Sequence, residues 1–402
     1  MLGWRLLFVL AASFVKSSPV QPSRRSTPSP QFTNVQLLGD IVDRDLQRDS
    51  CGSVRWGDRA LWTCRDTELL INQSIPLLVY NNTFAGFLSS SASYTGFKAD
   101  GTPDIIAVTD DQYGYDHELV MYGNNNAKSF FPLASDECSG NEAGSCDDGT
   151  RFALWPSTPP SVTSEGSDGS IVAYTFLRVE HITSTLGVVN PDPPTSLYRM
   201  NWSPAVQGTG DVLPAVTLVE EEFWGLDSFA YGDYGTVTSD DYLYLYAETS
   251  NYKIALAKVP LGSVEDKSTY QYFVNGVWGQ TRPANVNDTS AYLEHPGAGG
   301  QGTYFYSEYH SCFVWLGQTA GSIEPDLYVS TAPAPEGPWI DPYIIHTFPD
   351  GNYTLGAYSF QAHPGLLNNT STNQMYITYN KNIALGDNFA VYTSPLYLVN
   401  FN

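Results

Sequence analysis

The sequence RDSCGSVRWGDRALWTCRDTE, residues 48–68, decides the fold class of this chain. Gly57-Asp58 at its centre separates two half-apolar runs, the pattern of two antiparallel strands joined by a two-residue turn. A turn at that position sets the register and places Asp49 opposite Asp66. Directly opposed side chains have Cβ atoms about 4.5–5.5 Å apart. The stretch therefore predicts two carboxyl groups that face each other.

Two facing carboxyl groups push their pKa values apart, so that one can donate a proton while the other stays ionised. Arg48 and Arg65 each precede one of the acids, and on a strand they point to the opposite face, so they need not neutralise the pair. The competing interpretation is chance, because the chain has 42 Asp and Glu residues in all.

Short alternating runs recur along all 402 residues, and none shows a sustained helical period. A coarse repeat of tyrosine-rich strand pairs predicts an all-β fold, a five-bladed β-propeller of four-stranded antiparallel blades. A β-sandwich is the alternative. We expect a single propeller domain over residues 34–402, with a strand at 35–39 pairing with the last blade. The predicted blades lie near 38–150, 151–220, 221–287, 288–350 and 351–402.

The net charge of −23 argues against a nucleic acid or an anionic membrane as partner, and it leaves a neutral carbohydrate compatible. Residues 1–18 have the pattern of a secretory signal peptide, and residues 19–33 that of a disordered pro-segment or linker. Together these features predict a secreted, monomeric glycoprotein. The Asn-x-Ser/Thr acceptors are Asn72, Asn81, Asn201, Asn287, Asn352, Asn368 and Asn369.

Five cysteines in an oxidising compartment leave one unpaired. Cys138 and Cys146 bracket a turn-rich loop and are expected to be bridged. The hairpin register favours Cys51 with Cys64, which leaves Cys312 buried and free. The alternative is a bond from Cys312 to the hairpin.

Several motifs resemble those of a family of five-bladed propeller glycosidases, domain of unknown function 4185, some of whose members are endo-D-arabinanases. The matching stretches are Arg48-Asp49, residues 57–62, Asp66-Thr67, Leu154-Trp155-Pro156, residues 270–279 and Gly337-Pro338-Trp339. The family commonly has Gly before the second Asp, where this chain has Arg65, and the hairpin cysteines are unusual. These departures leave the substrate open.

The resemblance implies that Asp49 and Asp66 are the catalytic acids, in agreement with the register. Glycoside hydrolysis needs one carboxyl to protonate the leaving oxygen and a second to act as nucleophile or to activate water. Trp155 is a candidate for stacking on a sugar ring, although a core role fits it as well. The candidates for orienting sugar hydroxyls are Asp227, Glu308, His310 and His363, each with a structural role as the alternative.

The resulting hypothesis is a secreted glycosidase acting on a furanoside-containing glycan, such as an arabinan or galactofuranan. The alternatives are a non-catalytic lectin on the same fold and a polysaccharide lyase, which an acidic cleft disfavours. Neither a Gly-x-Ser-x-Gly elbow nor a His-Glu-x-x-His zinc motif occurs. We expect no cofactor and no catalytic metal, with structural Ca²⁺ at Asp110-Asp111 or Asp147-Asp148 as an option.

Overall fold

The computed structural model describes residues 27–71, 75–76, 86–109, 114–123, 128–207, 210–384 and 390–402. Nearly all of its regular structure is β-strand, which confirms the predicted all-β class. The predicted signal peptide lies outside the described residues, as do Asn72, Asn81 and Asp110-Asp111. No helix in the described part of the chain has the length and apolar character needed to cross a membrane.

The strands follow one another from the N-terminus in short runs. The first ten are β1 (Phe32–Val42), β2 (Leu46–Arg48), β3 (Cys51–Trp56), β4 (Arg59–Cys64), β5 (Thr67–Ile71), β6 (Ile75–Pro76), β7 (Phe87–Leu88), β8 (Ser91–Thr95), β9 (Ile105–Ala107) and β10 (His117–Val120). The next ten are β11 (Arg151–Leu154), β12 (Ser161–Glu165), β13 (Ile171–Ile182), β14 (Thr195–Trp202), β15 (Ala215–Trp224), β16 (Gly235–Ser239), β17 (Tyr242–Glu248), β18 (Ile254–Pro260), β19 (Gln271–Val274) and β20 (Val277–Gly279).

The remaining strands are β21 (Gly302–Ser307), β22 (Cys312–Gly317), β23 (Asp326–Ala332), β24 (Tyr343–Thr347), β25 (Ala357–Ala362), β26 (Gln374–Ala384), β27 (Ala390–Thr393) and β28 (Pro395–Phe401). One α-helical turn, α1 (Pro204–Gln207), interrupts them. The short 3₁₀ helices are Leu261–Ser263, Lys267–Thr269, Thr289–Ala291 and Pro364–Leu366.

The described strands pair into six sheets. Two follow chain order, β16–β20 and β21–β24, and a third has the order β11-β13-β14-β15, with β12 also pairing with β13. The hairpin β3–β4 pairs with β8, while β2 pairs with β5, which also contacts β6 and β7. The last sheet has the order β25-β26-β28-β1-β10-β9, with β27 beside β26. Its β1–β28 pairing is antiparallel, which confirms the predicted pairing of an N-terminal strand with the last unit.

Contacts between the leading strands join the sheets in sequence and return to the first. The contacting pairs, in order, are Gly52 with Pro159, Ser161 with Thr236, Gly235 with Tyr304, Thr303 with Gln361, and His363 with Ser53. Buried aromatic side chains fill the spaces between neighbouring sheets, among them Trp56, Trp224 and Trp315. The number of blades stays a prediction.

The hairpin forms in the predicted register. Gly57 takes a φ of 60°, a left-handed conformation that glycine adopts without steric cost, and Cys51 pairs with Cys64 across the ladder. A disulfide joins these two cysteines and a second joins Cys138 to Cys146. Both predicted bonds are therefore confirmed. Cys312 is buried and free, and burial raises the pKa of its thiol to about 12.

Candidate active site

Asp49 lies where the hairpin ladder is interrupted between β2 and β3. Its N–H donates to the Asp66 carbonyl at 2.8 Å, and the following Ser50 has a φ of 48°. The register is the same on both sides of this interruption, because Arg48 pairs with Thr67. The two predicted acids are therefore neighbours across the ladder, and the irregular backbone at Ser50 separates the sheets on either side of them.

The Asp49 carboxylate is half-buried and receives two hydrogen bonds from the last sheet. Its Oδ1 accepts from Tyr358 Oη at 2.8 Å and from Asn380 Nδ2 at 2.7 Å. Burial raises the pKa of Asp49 to about 6, and the charge of Asp66 adds to this rise. The charge of Arg65 opposes it. Asp49 is thus ionised above pH 6 and is a stronger base than an ordinary aspartate.

Asp66 is held from the next sheet along the chain. Arg151, the first residue of β11, forms a two-point ion pair with it, with Nη1 donating to Oδ1 at 3.0 Å and Nη2 to Oδ2. The indole Nε1 of Trp155 also donates to Oδ1, at 2.8 Å. Both oxygens are therefore occupied, which fixes the Asp66 carboxyl group in place.

The prediction from the sequence considered only Arg48 and Arg65, the arginines that precede the two acids. Arg48 does point away, toward Asp43 and Ser93. However, Arg151 arrives from another sheet to pair with Asp66, and the charge of Arg65 lowers the pKa of Asp49. Strand alternation predicts the direction of side chains within one strand. It does not predict which residues of other strands lie beside them.

Glu68 is a third acid at this point that the sequence analysis missed. Burial raises its pKa to about 7, and the charges of Asp66 and Asp49 add to this rise. It lies two positions after Asp66, so both side chains share one face of the chain. The register that places Asp49 opposite Asp66 continues into β5, where Glu68 pairs with Gln47, and this register was the signal that could have found it.

A second group of acids also lies within reach of the charge of Arg65. Glu180 on β13 pairs with Ala153 on β11, two residues from Arg151, so its side chain is on the face that carries Arg151. Burial raises the pKa of Glu180 to about 7. Its carboxylate makes no hydrogen bond to any described residue, which leaves it available to a ligand.

Glu248 and Asp233 complete this second group. Burial raises the pKa of Glu248 to about 8, and its Oε1 accepts from the Gly299 N–H at 2.7 Å. Asp233 pairs with Arg178, whose Nε lies 3.3 Å from Oδ2. Arg178 also donates to the Glu248 carbonyl. The group therefore holds two glutamates that are protonated near neutral pH beside a fixed ion pair.

Arg65 interacts electrostatically with both acidic groups. Its Nη2 donates to Ser157 Oγ at 3.0 Å, and its buried Nε has no partner among the described residues. Its positive charge lowers the pKa values of Asp49, Glu180 and Glu248, which burial raises. One guanidinium therefore acts on carboxyl groups from three sheets.

The structure brings Trp155 to the acids, where its ring also lies 5.6 Å from the Arg151 guanidinium. Asp227 is exposed in the turn after β15, with a φ of 58°. Its main chain bonds to Asp192 and Val286, and no hydrogen bond joins its carboxylate to the acid site. Asp227 is not brought to the acids.

Glu308 and His310 lie away from the acids, in the turn after β21. The opposite end of β21 follows Gln301, whose Oε1 accepts from Ser50 beside Asp49. Six residues of strand separate the two ends, roughly 20 Å. Glu308 accepts from Thr370 at 2.8 Å. The structure therefore does not bring Glu308 and His310 to the acid pair.

His363 is fully buried between the last sheet and the hairpin. Its Nδ1 lies 2.8 Å from Ser53 Oγ and its Nε2 lies 2.7 Å from Thr378 Oγ1. Its ring packs on Trp62 at 4.7 Å, and burial lowers the pKa to about 3. A neutral imidazole with both nitrogens satisfied joins two sheets and does not face a substrate.

No metal-binding group of His, Cys, Asp and Glu side chains occurs within the described ranges. Of the acid clusters considered for Ca²⁺, Asp148 accepts from the N–H and hydroxyl of Thr150 at 2.9 and 2.6 Å. This carboxylate therefore stabilises a turn. A separate surface cleft of about 830 Å³, lined in part by Phe130, Asp211 and Val216, contains none of the site acids.

The sequence profile described as Domain of unknown function (DUF5005) matches residues 215–400. No curated protein matches the chain. The chain is similar to a Bacteroides ovatus protein described as a hydrolase, with a TM-score of 0.54 and 16% identity over 96% of this chain and 97% of that one. At this identity the likeness shows the fold alone.

Two weaker structural likenesses are to glycosidases. The catalytic domain of a Coprinopsis cinerea GH62 α-L-arabinofuranosidase gives a TM-score of 0.44 and 11% identity, over 93% of this chain and 98% of that one. An exo-β-1,3-galactanase of Phanerochaete chrysosporium gives 0.44 and 10%, over 90% of this chain and 64% of that one.

Proposed function

We propose that this protein is a secreted glycoside hydrolase on a five-bladed propeller, with its active site at the two acidic groups around Arg65. The observation that carries the proposal is that carboxyl groups from three sheets gather within the electrostatic reach of one guanidinium, Arg65, with pKa values of about 6 for Asp49, about 7 for Glu180 and about 8 for Glu248. Glycoside hydrolysis needs such a division between an ionised and a protonated carboxyl. The fold likeness to a hydrolase supports this reading.

Contacts from sheet to sheet support the five-bladed arrangement. They return from His363 to Ser53 on the hairpin, and a closed circle of sheets is the propeller geometry. The sheets that would be blades begin at β3, β11, β16, β21 and β25. Two disulfides support secretion, because such bonds persist in oxidising compartments.

Each carboxyl has a role that follows from its contacts. Asp49 acts as the nucleophile or activates water, because it is ionised above pH 6. Glu180 donates the proton to the leaving oxygen, because its carboxyl is protonated below pH 7 and makes no competing hydrogen bond. Asp66, whose oxygens accept hydrogen bonds from Arg151 and Trp155, positions the other carboxyl groups. Its charge adds to the effect of burial, which raises the pKa of Glu68 and favours its protonated form.

The substrate we propose is a furanoside-containing glycan of the arabinan or galactofuranan type. The hairpin motifs around Asp49 and Asp66 support this class, since they resemble those of endo-D-arabinanase relatives. The net charge of −23 supports a neutral chain over a uronate, which an acidic site repels.

Release of reducing sugar from a panel of arabinans, galactofuranans and galactans tests the activity. We expect turnover of at least one furanoside polymer. Retention of the same glycans on an array without turnover would instead identify a lectin. Release of unsaturated products that absorb ultraviolet light would identify a lyase.

The proton donor can be identified by comparing substrates with a poor and a good leaving group. Glu180→Gln is expected to lose activity on the polymer and to keep it on an aryl glycoside, whose good leaving group needs no protonation. Glu248→Gln is the matched comparison. If Glu248→Gln shows this pattern and Glu180→Gln does not, the donor is Glu248.

A further inference from the structure

Tyr252 is an exposed aromatic residue held in an unusual backbone conformation. Its side chain is 44% exposed, and its φ is 57°, a left-handed conformation that tyrosine seldom adopts. It lies in the turn between β17 and β18. Glycine or asparagine would occupy such a position at lower cost. Unfavourable conformations of this kind persist where the surrounding structure fixes them, and they concentrate at functional sites.

The turn that carries Tyr252 is fixed from both sides. The Tyr252 N–H donates to the Thr249 carbonyl at 2.8 Å, and Thr249 Oγ1 accepts from the Lys253 N–H at 3.2 Å. From the preceding sheet, the buried carboxylate of Asp192 accepts from the N–H and the hydroxyl of Ser250 at 2.8 and 2.7 Å. The ring is therefore presented by a rigid turn.

Tyr252 is also close to the acid site. It follows Glu248 by four residues, which limits the separation of the two Cα atoms to about 14 Å. Asp192, which anchors the turn, lies close enough to Glu180 for its charge to raise the pKa of that glutamate. On the far side, a methyl group added at Gly321 would come within 3.1 Å of the Tyr252 hydroxyl. The ring thus reaches from the β16–β20 sheet to the β21–β24 sheet at the edge of the acid site.

We propose that Tyr252 is a binding platform for a sugar unit next to the bond that is cleaved, a subsite of the proposed glycosidase. This inference rests on the proposed function. The face of an aromatic ring packs on the apolar C–H face of a sugar, and the hydroxyl remains free to bond a sugar oxygen. A ring held by a rigid turn loses little entropy on binding, so more of the contact energy appears as affinity.

The test compares substrates that do and do not reach this subsite. Tyr252→Asn removes the ring and keeps a residue that tolerates the left-handed conformation, whereas Tyr252→Trp keeps an aromatic face. Tyr309→Ala is the control, because Tyr309 is similarly exposed, at 46%, in the turn at the far end of β21. KM and kcat are measured on an oligosaccharide ladder and on an aryl glycoside of a single sugar.

We expect Tyr252→Asn to raise KM for the longer oligosaccharides roughly tenfold, the fold-change that an aromatic contact of about 1–1.5 kcal/mol gives. KM on the aryl glycoside and kcat should change little, and Tyr252→Trp should behave as wild type. An equal effect on the aryl glycoside, or the same loss in Tyr309→Ala, would overturn the subsite.

Failure of the proposed function has a different signature. If wild type turns over no glycan, the same variants are compared by calorimetric titration with the longest oligosaccharide of the ladder. Weaker binding in Tyr252→Asn alone would then support the binding platform and reject the proposed glycosidase activity. Equal binding in all variants, or no binding by wild type, would discard the platform.

Discussion

At the scale of single residues, Arg65 opposes the effect of burial on the acids of the site. Burial raises the pKa values of Asp49, Glu180 and Glu248, and the charge of Arg65 favours the ionised form of all three. Asp49 must be ionised and Glu180 protonated for catalysis. The rate should therefore fall below about pH 6 and above about pH 7, a bell-shaped profile of kcat/KM.

Arg65→Gln tests this assignment. Loss of the cation raises the pKa values of Asp49 and Glu180 together, so both limbs of the profile should move to higher pH, by roughly 0.5–1 unit. Arg55→Gln, in the same hairpin and distant from the acids, is the control. A profile that keeps its limbs while its height falls would mean that Arg65 acts by positioning alone.

The facing of Asp49 and Asp66 could be predicted from the sequence because one turn fixes it. Glu68 was within reach of the same rule. Arg151, Glu180 and Glu248 were not, because each enters from another sheet and no local spacing relates it to the hairpin. Arg65 carried a signal, as a departure from the motif that the hairpin resembles, although its partners could not be predicted.

At the scale of elements, the hairpin β3–β4 joins the strands that carry Asp49 and Asp66. Its disulfide lies two residues from each acid and is nearly inaccessible to solvent. It closes a loop of 13 residues, so its entropic stabilisation is modest, on the order of 3 kcal/mol under the chain-entropy model. Its larger effect should be on the separation of the acids, where a shift of about 1 Å costs on the order of a hundredfold in rate.

Replacing Cys51 and Cys64 together by Ser is therefore expected to lower kcat/KM. The loss should be larger than the increase in the unfolded fraction at the working temperature can explain. Thermal melting and kinetics on one preparation measure both. The matched control is the double replacement of Cys138 and Cys146, whose bond lies in a surface loop. Equal losses of activity in both double variants would contradict a role for the hairpin bond in positioning.

Sequence reasoning predicted the hairpin and its register, but it did not locate the turn that carries Glu308 and His310. Strand β21 ends at Ser307, so both residues lie in the turn beyond it. Alternation does not apply outside a strand. The position of His363 was out of reach for another reason, because burial between two sheets cannot be read from one strand.

At the scale of the whole molecule, β1 joins parts of the chain that are far apart in sequence. It pairs with β28 on one edge and with β10 on the other. The all-β class could be predicted from alternating runs, since that pattern is local. The attachment of β9 and β10 to β1 could not be predicted, because residues 100–149, which contain both strands, are rich in Asp, Gly and Asn and show little strand pattern.

A chain beginning at Asp43 lacks β1 and should expose the edges of both β28 and β10. We expect a loss of stability of several kcal/mol, seen as a lower melting temperature and a tendency to aggregate. A chain beginning at Thr27 is the control and should melt as the full chain does. Unchanged melting of the shorter chain would contradict a closing role for β1.

The most direct test of the account is the activity and stability of Asp49→Asn on the glycan that wild type cleaves. The pKa of Asp49 is raised by folding, so folding stability is highest where Asp49 is protonated and declines as pH rises from about 4 to 6. Asparagine removes that penalty and can still accept from Asn380. We therefore predict a melting temperature at pH 7 at or above that of wild type, together with a fall in kcat/KM of at least about a hundredfold. A correctly folded Asp49→Asn protein that keeps the wild-type rate would contradict the account.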